Sequence, residues 1–139
     1  MVASTFAVSP PQPLSKAWVW TGRVFSGFIV LFLLFDAVIK LMRIQPVIDS
    51  FAELGYPDKF AVPIGVMELV IIALYAIPRT AVFGALILTA LLGGAIATHV
   101  RVESPLFSTT LFGVYMGLIA WAGVYLREPR LRALLPLRS

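Results

Sequence analysis

Four long apolar runs constrain this chain more than any other feature of its sequence. They cover residues 18–40, 58–77, 81–100 and 105–126, to within a few positions. Each run is close to the ~20 residues that a helix needs to cross about 30 Å of hydrocarbon. Membrane-spanning strands would instead alternate apolar and polar residues over segments of about ten, and this alternation does not occur. The sequence therefore predicts an all-α fold, an integral membrane four-helix bundle.

Composition indicates that lipid is the solvent for much of this apolar surface. Of the 139 residues, 60% are hydrophobic and 13% are charged, whereas a soluble domain is about 45–50% apolar and about 25% charged. A chain this short cannot bury so much apolar surface within its own fold. A soluble enzyme and a disordered chain are excluded. A secreted module held by disulfides is excluded as well, because the chain has no cysteine.

The segments that flank the four runs are polar. Residues 1–16 are rich in Ser, Pro and Gln, which is typical of a flexible cytoplasmic tail. They do not form a signal peptide, since the basic residues come late and no cleavage site follows the apolar run. The four-helix domain covers residues 17–127, and residues 128–139 form a basic tail. We interpret this tail as an anchor on anionic lipid, because it lacks the interleaved aromatic residues that would bind nucleic acid.

The distribution of basic residues predicts the orientation of the bundle. Seven Lys and Arg residues fall on the side of the chain termini and four on the opposite side, which accounts for all 11. The more basic side is expected to face the cytoplasm. We therefore expect a multi-pass protein of a bacterial-type cytoplasmic membrane, with both the N-terminus and the C-terminus in the cytoplasm.

The loop between the first two runs has a pattern of its own. Apolar residues recur at helical spacing between Ile44 and Leu54, with polar residues on the opposite face. Pro46 is suited to open a helix there and Gly55 to close it. The pattern predicts a short amphipathic helix in the first outer loop. This helix is either a lid over the bundle or an ordered connector.

Four ionisable residues lie within or at the ends of the predicted spans, namely Asp36, Lys40, Glu68 and His99. A charge at the bilayer centre costs about 2.5–3.5 kcal/mol, so these groups need partners or water. The topology places all four in the outer half of the bundle. Asp36 and Lys40 share a helix face, and Arg43 continues it if the helix extends that far. The group is either a network that holds the helices in register or a ligand or proton site.

Small residues on the third and fourth runs indicate close helix contacts. Gly113 and Gly117 form a GxxxG pattern, and Ala90, Gly94 and Thr98 form a stripe of small residues. Residues of this size let two helices approach closely. We expect packing within the bundle, and a homodimer face is the alternative.

The residues that are absent limit the chemistry. Without cysteine and with a single histidine, the chain has no ligand set for an iron–sulfur cluster or a bis-histidine haem, and we expect no metal site. No cofactor is predicted to be built in. If electrons pass through this protein, an organic carrier such as a quinone, or a partner subunit, must hold them.

Seven short motifs follow one another along the chain. They are Lys40-Leu41, Glu53 to Pro57, Gly65 to Leu69, Ile77 to Thr80, Gly84 to Leu86, Ala97 to His99 and Arg127 to Arg132. In this order and spacing the sequence resembles the DoxX-like family of small four-helix membrane proteins over residues 21–136. The resemblance implies a link to membrane oxidoreductase assemblies, since the family is named after a small subunit associated with a quinone-reducing, thiosulfate-oxidising complex. Other relatives are linked to oxidative-stress defence.

The resemblance also implies that members of the family commonly carry these residue types at the positions of Lys40, Glu68 and His99. It supplies no cofactor motif. We expect a redox-associated accessory subunit, and not an autonomous enzyme, that binds a quinone-like or lipid headgroup at the polar cluster. The first alternative is a non-catalytic module that assembles with or recruits a partner oxidoreductase. The second alternative is a small carrier or channel formed by an oligomer.

Overall fold

Each apolar run forms a helix that is long and apolar enough to cross a membrane. The computed structural model describes residues 14–135, and within them it contains helices and no strand. The predicted all-α fold with four membrane-spanning helices is therefore confirmed. The helices are α1 (Lys16–Met42), α2 (Gln45–Leu54), α3 (Ala61–Ala76), α4 (Ala81–Arg101), α5 (Phe112–Arg127) and α6 (Pro129–Leu134).

Two of the spanning helices begin with a turn of different geometry. A 3-10 turn, Asp58–Phe60, leads directly into α3, and a π-helical turn, Leu106–Thr110, precedes α5. The four spans are therefore Lys16–Met42, Asp58–Ala76, Ala81–Arg101 and Leu106–Arg127. Between 22% and 33% of the most apolar part of each span is buried inside the bundle, which leaves apolar surface available for contact with lipid.

The two predicted tails are described only in part. Residues 1–13, which make up most of the expected flexible tail, lie outside the described residues, and Lys16 already belongs to α1. At the other end, residues 129–134 form the short helix α6, while residues 136–139 lie outside the described residues.

The four spanning helices form a ring in the order α1, α3, α4, α5, so that each contacts two neighbours. We call the end of the bundle that carries Lys16 and Arg127 the terminal end, and the end that carries α2 the loop end. All buried residues of α4 lie in its first half, between Ala81 and Leu88. The bundle is therefore closely packed toward the terminal end and opens toward the loop end.

Tyr75 is the largest fully buried side chain and connects three of the spans. Its hydroxyl donates a hydrogen bond to the carbonyl oxygen of Ala120 on α5 at 2.7 Å and lies 3.3 Å from the hydroxyl of Ser26 on α1. Arg127 donates to the backbone carbonyl of Tyr75, and its guanidinium carbon lies 4.9 Å from the centre of the Tyr75 ring. No periodic pattern or motif in the sequence indicated this role.

Two arginines near the C-terminus bind backbone carbonyls within the bundle, a role that the sequence did not predict for them. Arg127 contacts Tyr75, and Arg132 donates to the carbonyl oxygens of Tyr125 and Leu126 at the end of α5. The last carbonyl groups of a helix have no partner inside it, and arginine side chains can supply one. Arg130 is exposed and remains free to contact lipid.

We expect Tyr75→Phe to lower the free energy of unfolding by about 1 kcal/mol, because the ring still packs while the hydrogen bond to the Ala120 carbonyl is lost. Titration with sodium dodecyl sulfate, followed by circular dichroism, measures this difference. Ser26→Ala removes only the longer contact and is expected to have a smaller effect. A loss in Tyr75→Phe no larger than in Ser26→Ala would contradict the importance of the Ala120 bond.

Candidate functional site

A cavity of about 620 Å³ lies at the loop end of the bundle, among the four spans and α2. Cavities of about 300–1,000 Å³ with mostly apolar walls and a few polar groups are typical of small-molecule binding sites. The wall of this cavity is mostly apolar. The polar side chains in it include Asp36, Lys40, Tyr56, Glu68, Thr98 and His99.

Small residues on α4 make room for this cavity. We expected Ala90, Gly94 and Thr98 to pack against a neighbouring helix, but all three line the cavity instead. At Gly94, a Cβ atom would have no neighbour within 4 Å. The stripe lies in the half of α4 that faces the open part of the bundle, which is why it contacts the cavity and not another helix.

The GxxxG pattern of α5 is used within the bundle at its first glycine. A Cβ atom on Gly113 would lie 2.8 Å from the Ile96 side chain and 3.3 Å from the Leu92 carbonyl oxygen, both on α4. At Gly117 the nearest atom would be 3.7 Å away, an ordinary contact distance. The close approach of α5 and α4 at Gly113 supports the interpretation of packing within the bundle.

Lys40 connects two carboxyl groups that belong to different helices. Its Nζ donates to Asp36, one turn earlier on α1, and to Glu68 Oε1 on α3 at 2.5 Å. The exposed fractions of the side chains are 30% for Asp36, 16% for Lys40 and 4% for Glu68. Gly65 brings the helices together one turn before Glu68, since a Cβ atom there would lie 3.3 Å from Lys40 Cβ. The structure thus places these three predicted residues in one group.

The second carboxyl oxygen of Glu68 is buried and has no hydrogen-bond partner within residues 14–135. Buried polar atoms in folded proteins usually have a partner, and a missing partner calls for an explanation. Glu68 belongs to the cavity wall, so a turn of its carboxyl group would let a molecule inside the cavity supply the missing donor. We call Asp36, Lys40 and Glu68 the acidic triad.

His99 lines the same cavity from the end of α4. Its Nδ1 lies 3.0 Å from the hydroxyl of Ser104, in the loop between α4 and α5. That loop is held by the buried Thr110, whose hydroxyl donates to the Ser104 carbonyl oxygen at 3.2 Å. The hydrogen bonds described for residues 14–135 do not join His99 to the acidic triad. His99 and the acidic triad therefore line the same cavity without a hydrogen bond between them.

Arg43 lies outside this group, contrary to the expectation that it continues the face of Asp36 and Lys40. Helix α1 ends at Met42, and Arg43 has a left-handed backbone with φ of 51°. Its side chain pairs with Asp58, and the two side chains are 46% and 45% exposed. The change of backbone direction after Met42 turns Arg43 away from the helical face and toward the start of the second span.

Helix α2 lies over the loop end of the cavity, and contacts at its C-terminal end connect it to α4. Pro46 lies in its first turn and Gly55, with φ of 79°, ends it, as the sequence predicted. Phe51 is buried on one side of α2 and lines the cavity. Beyond α2, the hydroxyl of Tyr56 lies 3.2 Å from that of Thr98 on α4. Arg101 also donates to the Leu54 carbonyl oxygen. These contacts favour the interpretation of α2 as a lid over that of a plain connector.

The comparisons with known proteins bear on this arrangement. The chain matches no curated protein and no solved structure. A family model does match residues 24–123, a stretch that includes the acidic triad, α2 and His99. Because this match covers more than half of the 139 residues, the chain belongs to the DoxX-like family.

Proposed function

We propose that this protein is a redox-associated accessory subunit that binds a quinone-like or lipid headgroup in the cavity beneath α2. The observation that carries the proposal is the buried Glu68 oxygen without a partner among the described residues, on a side chain in the wall of a mostly apolar cavity of about 620 Å³. An apolar wall suits the ring and the start of an aliphatic tail. A few polar groups at one place suit a headgroup.

The residues of the cavity fit a quinone-like headgroup. The Lys40 ammonium has three N–H groups, of which two are used by Asp36 and Glu68, so one remains to donate to a ligand oxygen. His99 offers a ring nitrogen from the facing helix. A bound quinone would supply the electron-transfer chemistry, while these side chains hold the headgroup and α2 excludes water.

We infer that the cavity faces the outer leaflet of a bacterial-type cytoplasmic membrane. Seven basic residues belong to the terminal end of the bundle or to the tails and four to the loop end, and the positive-inside rule then places both termini in the cytoplasm. A ligand that diffuses in the membrane would reach the cavity from the outer half of the bilayer.

A non-catalytic assembly module is the second candidate. The GxxxG pattern and the C-terminal arginines favoured it as surfaces for a partner. In the structure, however, Gly113 packs against α4, and both Arg127 and Arg132 bind backbone carbonyls of the same chain. A carrier or channel comes third. Tyr75 and Val124, both fully buried, lie toward the terminal end of the bundle and do not line the cavity, so within residues 14–135 the cavity does not continue past them.

Mass spectrometry of the organic extract from protein purified in mild detergent tests the proposal. We expect a bound quinone or lipid in the wild-type extract and the loss of most of it in Gly94→Leu, because the new side chain would occupy the cavity. Glu68→Gln and His99→Ala are expected to retain less of the ligand than wild-type protein does.

The matched control is Gly93→Leu. A Cβ atom at Gly93 also has no neighbour within 4 Å, but Gly93 does not line the cavity. Both substitutions replace a helical glycine with a good helix former, so their effects on helix stability should be alike. Equal retention in the two variants, or an empty extract from folded wild-type protein, would contradict ligand binding. Crosslinking to a partner oxidoreductase would then test the assembly module.

A further inference from the structure

We infer that the cavity prefers a headgroup that donates a hydrogen bond, such as a hydroquinone or phenol hydroxyl, over one that only accepts, such as a quinone carbonyl. The inference rests on the proposed ligand site and adds the chemical form of the ligand. It follows from the surplus of hydrogen-bond acceptors over free donors around Glu68 in the described part of the cavity wall.

The acidic triad has more acceptors than donors. Lys40 is the only ammonium in it, and it donates to both Asp36 and Glu68. Glu68 Oε2 remains buried without a donor. A carbonyl oxygen placed against Oε2 would bring two acceptors together. A hydroxyl group placed there can donate to Oε2 and accept from the third N–H of Lys40.

Three hydroxyl groups on the facing wall are also engaged as donors. Thr98 donates its proton to the Gly94 carbonyl oxygen at 2.8 Å. Because that proton is used, the contact between Tyr56 and Thr98 has Tyr56 as its donor. Thr110, which also lines the cavity, donates to Ser104. These three hydroxyls therefore present lone pairs, and not protons, to a ligand.

Two redox-inert probes that differ in a single hydrogen-bond donor test this preference. 4-Nonylphenol and 4-nonylanisole share a ring and a tail and differ in a hydroxyl group against a methoxy group. Wild-type protein in lipid nanodiscs is equilibrated with each probe, and the bound amount is corrected with empty nanodiscs. We expect the phenol to bind about tenfold more tightly, the effect of one hydrogen bond to a charged group. Under argon, an alkylhydroquinone should likewise bind more tightly than the alkylbenzoquinone with the same tail.

The variant Glu68→Gln should reverse this preference. Its amide has a single oxygen to accept from Lys40, so its NH2 group would face the cavity as a donor. The anisole and the quinone should then bind better than the phenol and the hydroquinone. Glu53→Gln is the control. It removes the same charge from an exposed residue of α2 that does not line the cavity.

The outcomes separate this inference from the proposed function. If wild-type protein binds both members of each pair equally, the preference for a donor is wrong and the ligand site stands. If folded wild-type protein binds none of the four probes, the proposed function itself fails. A preference for the phenol that persists in Glu68→Gln would overturn the role of Glu68. Should Glu68→Gln fail to fold, the two comparisons on wild-type protein still decide whether the cavity prefers a hydrogen-bond donor.

Discussion

Replacing Lys40 with methionine is expected to lower the free energy of unfolding by about 3–5 kcal/mol, the usual cost of removing one partner from a buried ion pair. The Glu68 side chain, only 4% exposed, would lose the one hydrogen bond described for it. Its carboxyl group would then be buried with neither oxygen paired. Sodium dodecyl sulfate titration followed by circular dichroism measures the loss.

Arg43→Met is the matched control for Lys40→Met. Arg43 also pairs with a carboxyl group, that of Asp58, but both side chains are almost half exposed. Exposed pairs contribute at most about 1 kcal/mol, so the control should be nearly neutral. The double variant Lys40→Met, Glu68→Leu removes both buried charges and should recover much of the stability. If Lys40→Met and Arg43→Met lost equal free energy of unfolding, the burial of Glu68 could not be the cause of the loss in Lys40→Met.

The meeting of Asp36, Lys40 and Glu68 could be predicted because it depends only on helical spacing and topology. Two residues four apart share a helix face, and antiparallel spans bring the outer end of one beside the outer start of the next. Arg43 shows where such reasoning ends. Its position depends on the backbone of one residue after Met42, and periodicity carries no information about where a helix turns off its axis.

The cavity and the contacts of Tyr75 could not be predicted because both depend on how whole helices pack. Small residues on α4 and α5 indicate a close helix contact or an open space equally well, and Gly113 on α5 and Gly94 on α4 show the two outcomes. Tyr75 has no partner near it in sequence, since Ser26 and Ala120 lie on other helices. Arg127 lies in the last turn of α5 but binds the Tyr75 carbonyl oxygen on α3, so its own helix gave no signal for this partner.

The second large effect is expected at Gly84, where α4 crosses α3. A Cβ atom on Gly84 would lie 2.7 Å from Tyr75 Cα and 2.8 Å from the carbonyl carbon of Leu74, which are backbone atoms and cannot turn aside. Gly84→Ala must therefore push the two helices apart. We expect a loss near the upper end of about 1–3 kcal/mol, the usual range for overpacking.

Gly27→Ala makes the same substitution where the structure leaves space, since a Cβ atom on Gly27 would have no neighbour within 4 Å. Alanine is the better helix former by about 0.5–1 kcal/mol, so this variant should be slightly more stable than wild-type protein. The opposite signs of the two results separate helix propensity from packing. If Gly84→Ala also raised stability, the close crossing at Tyr75 could not be what holds the terminal end closed. The position of the cavity beneath α2, at the loop end, would then need another cause.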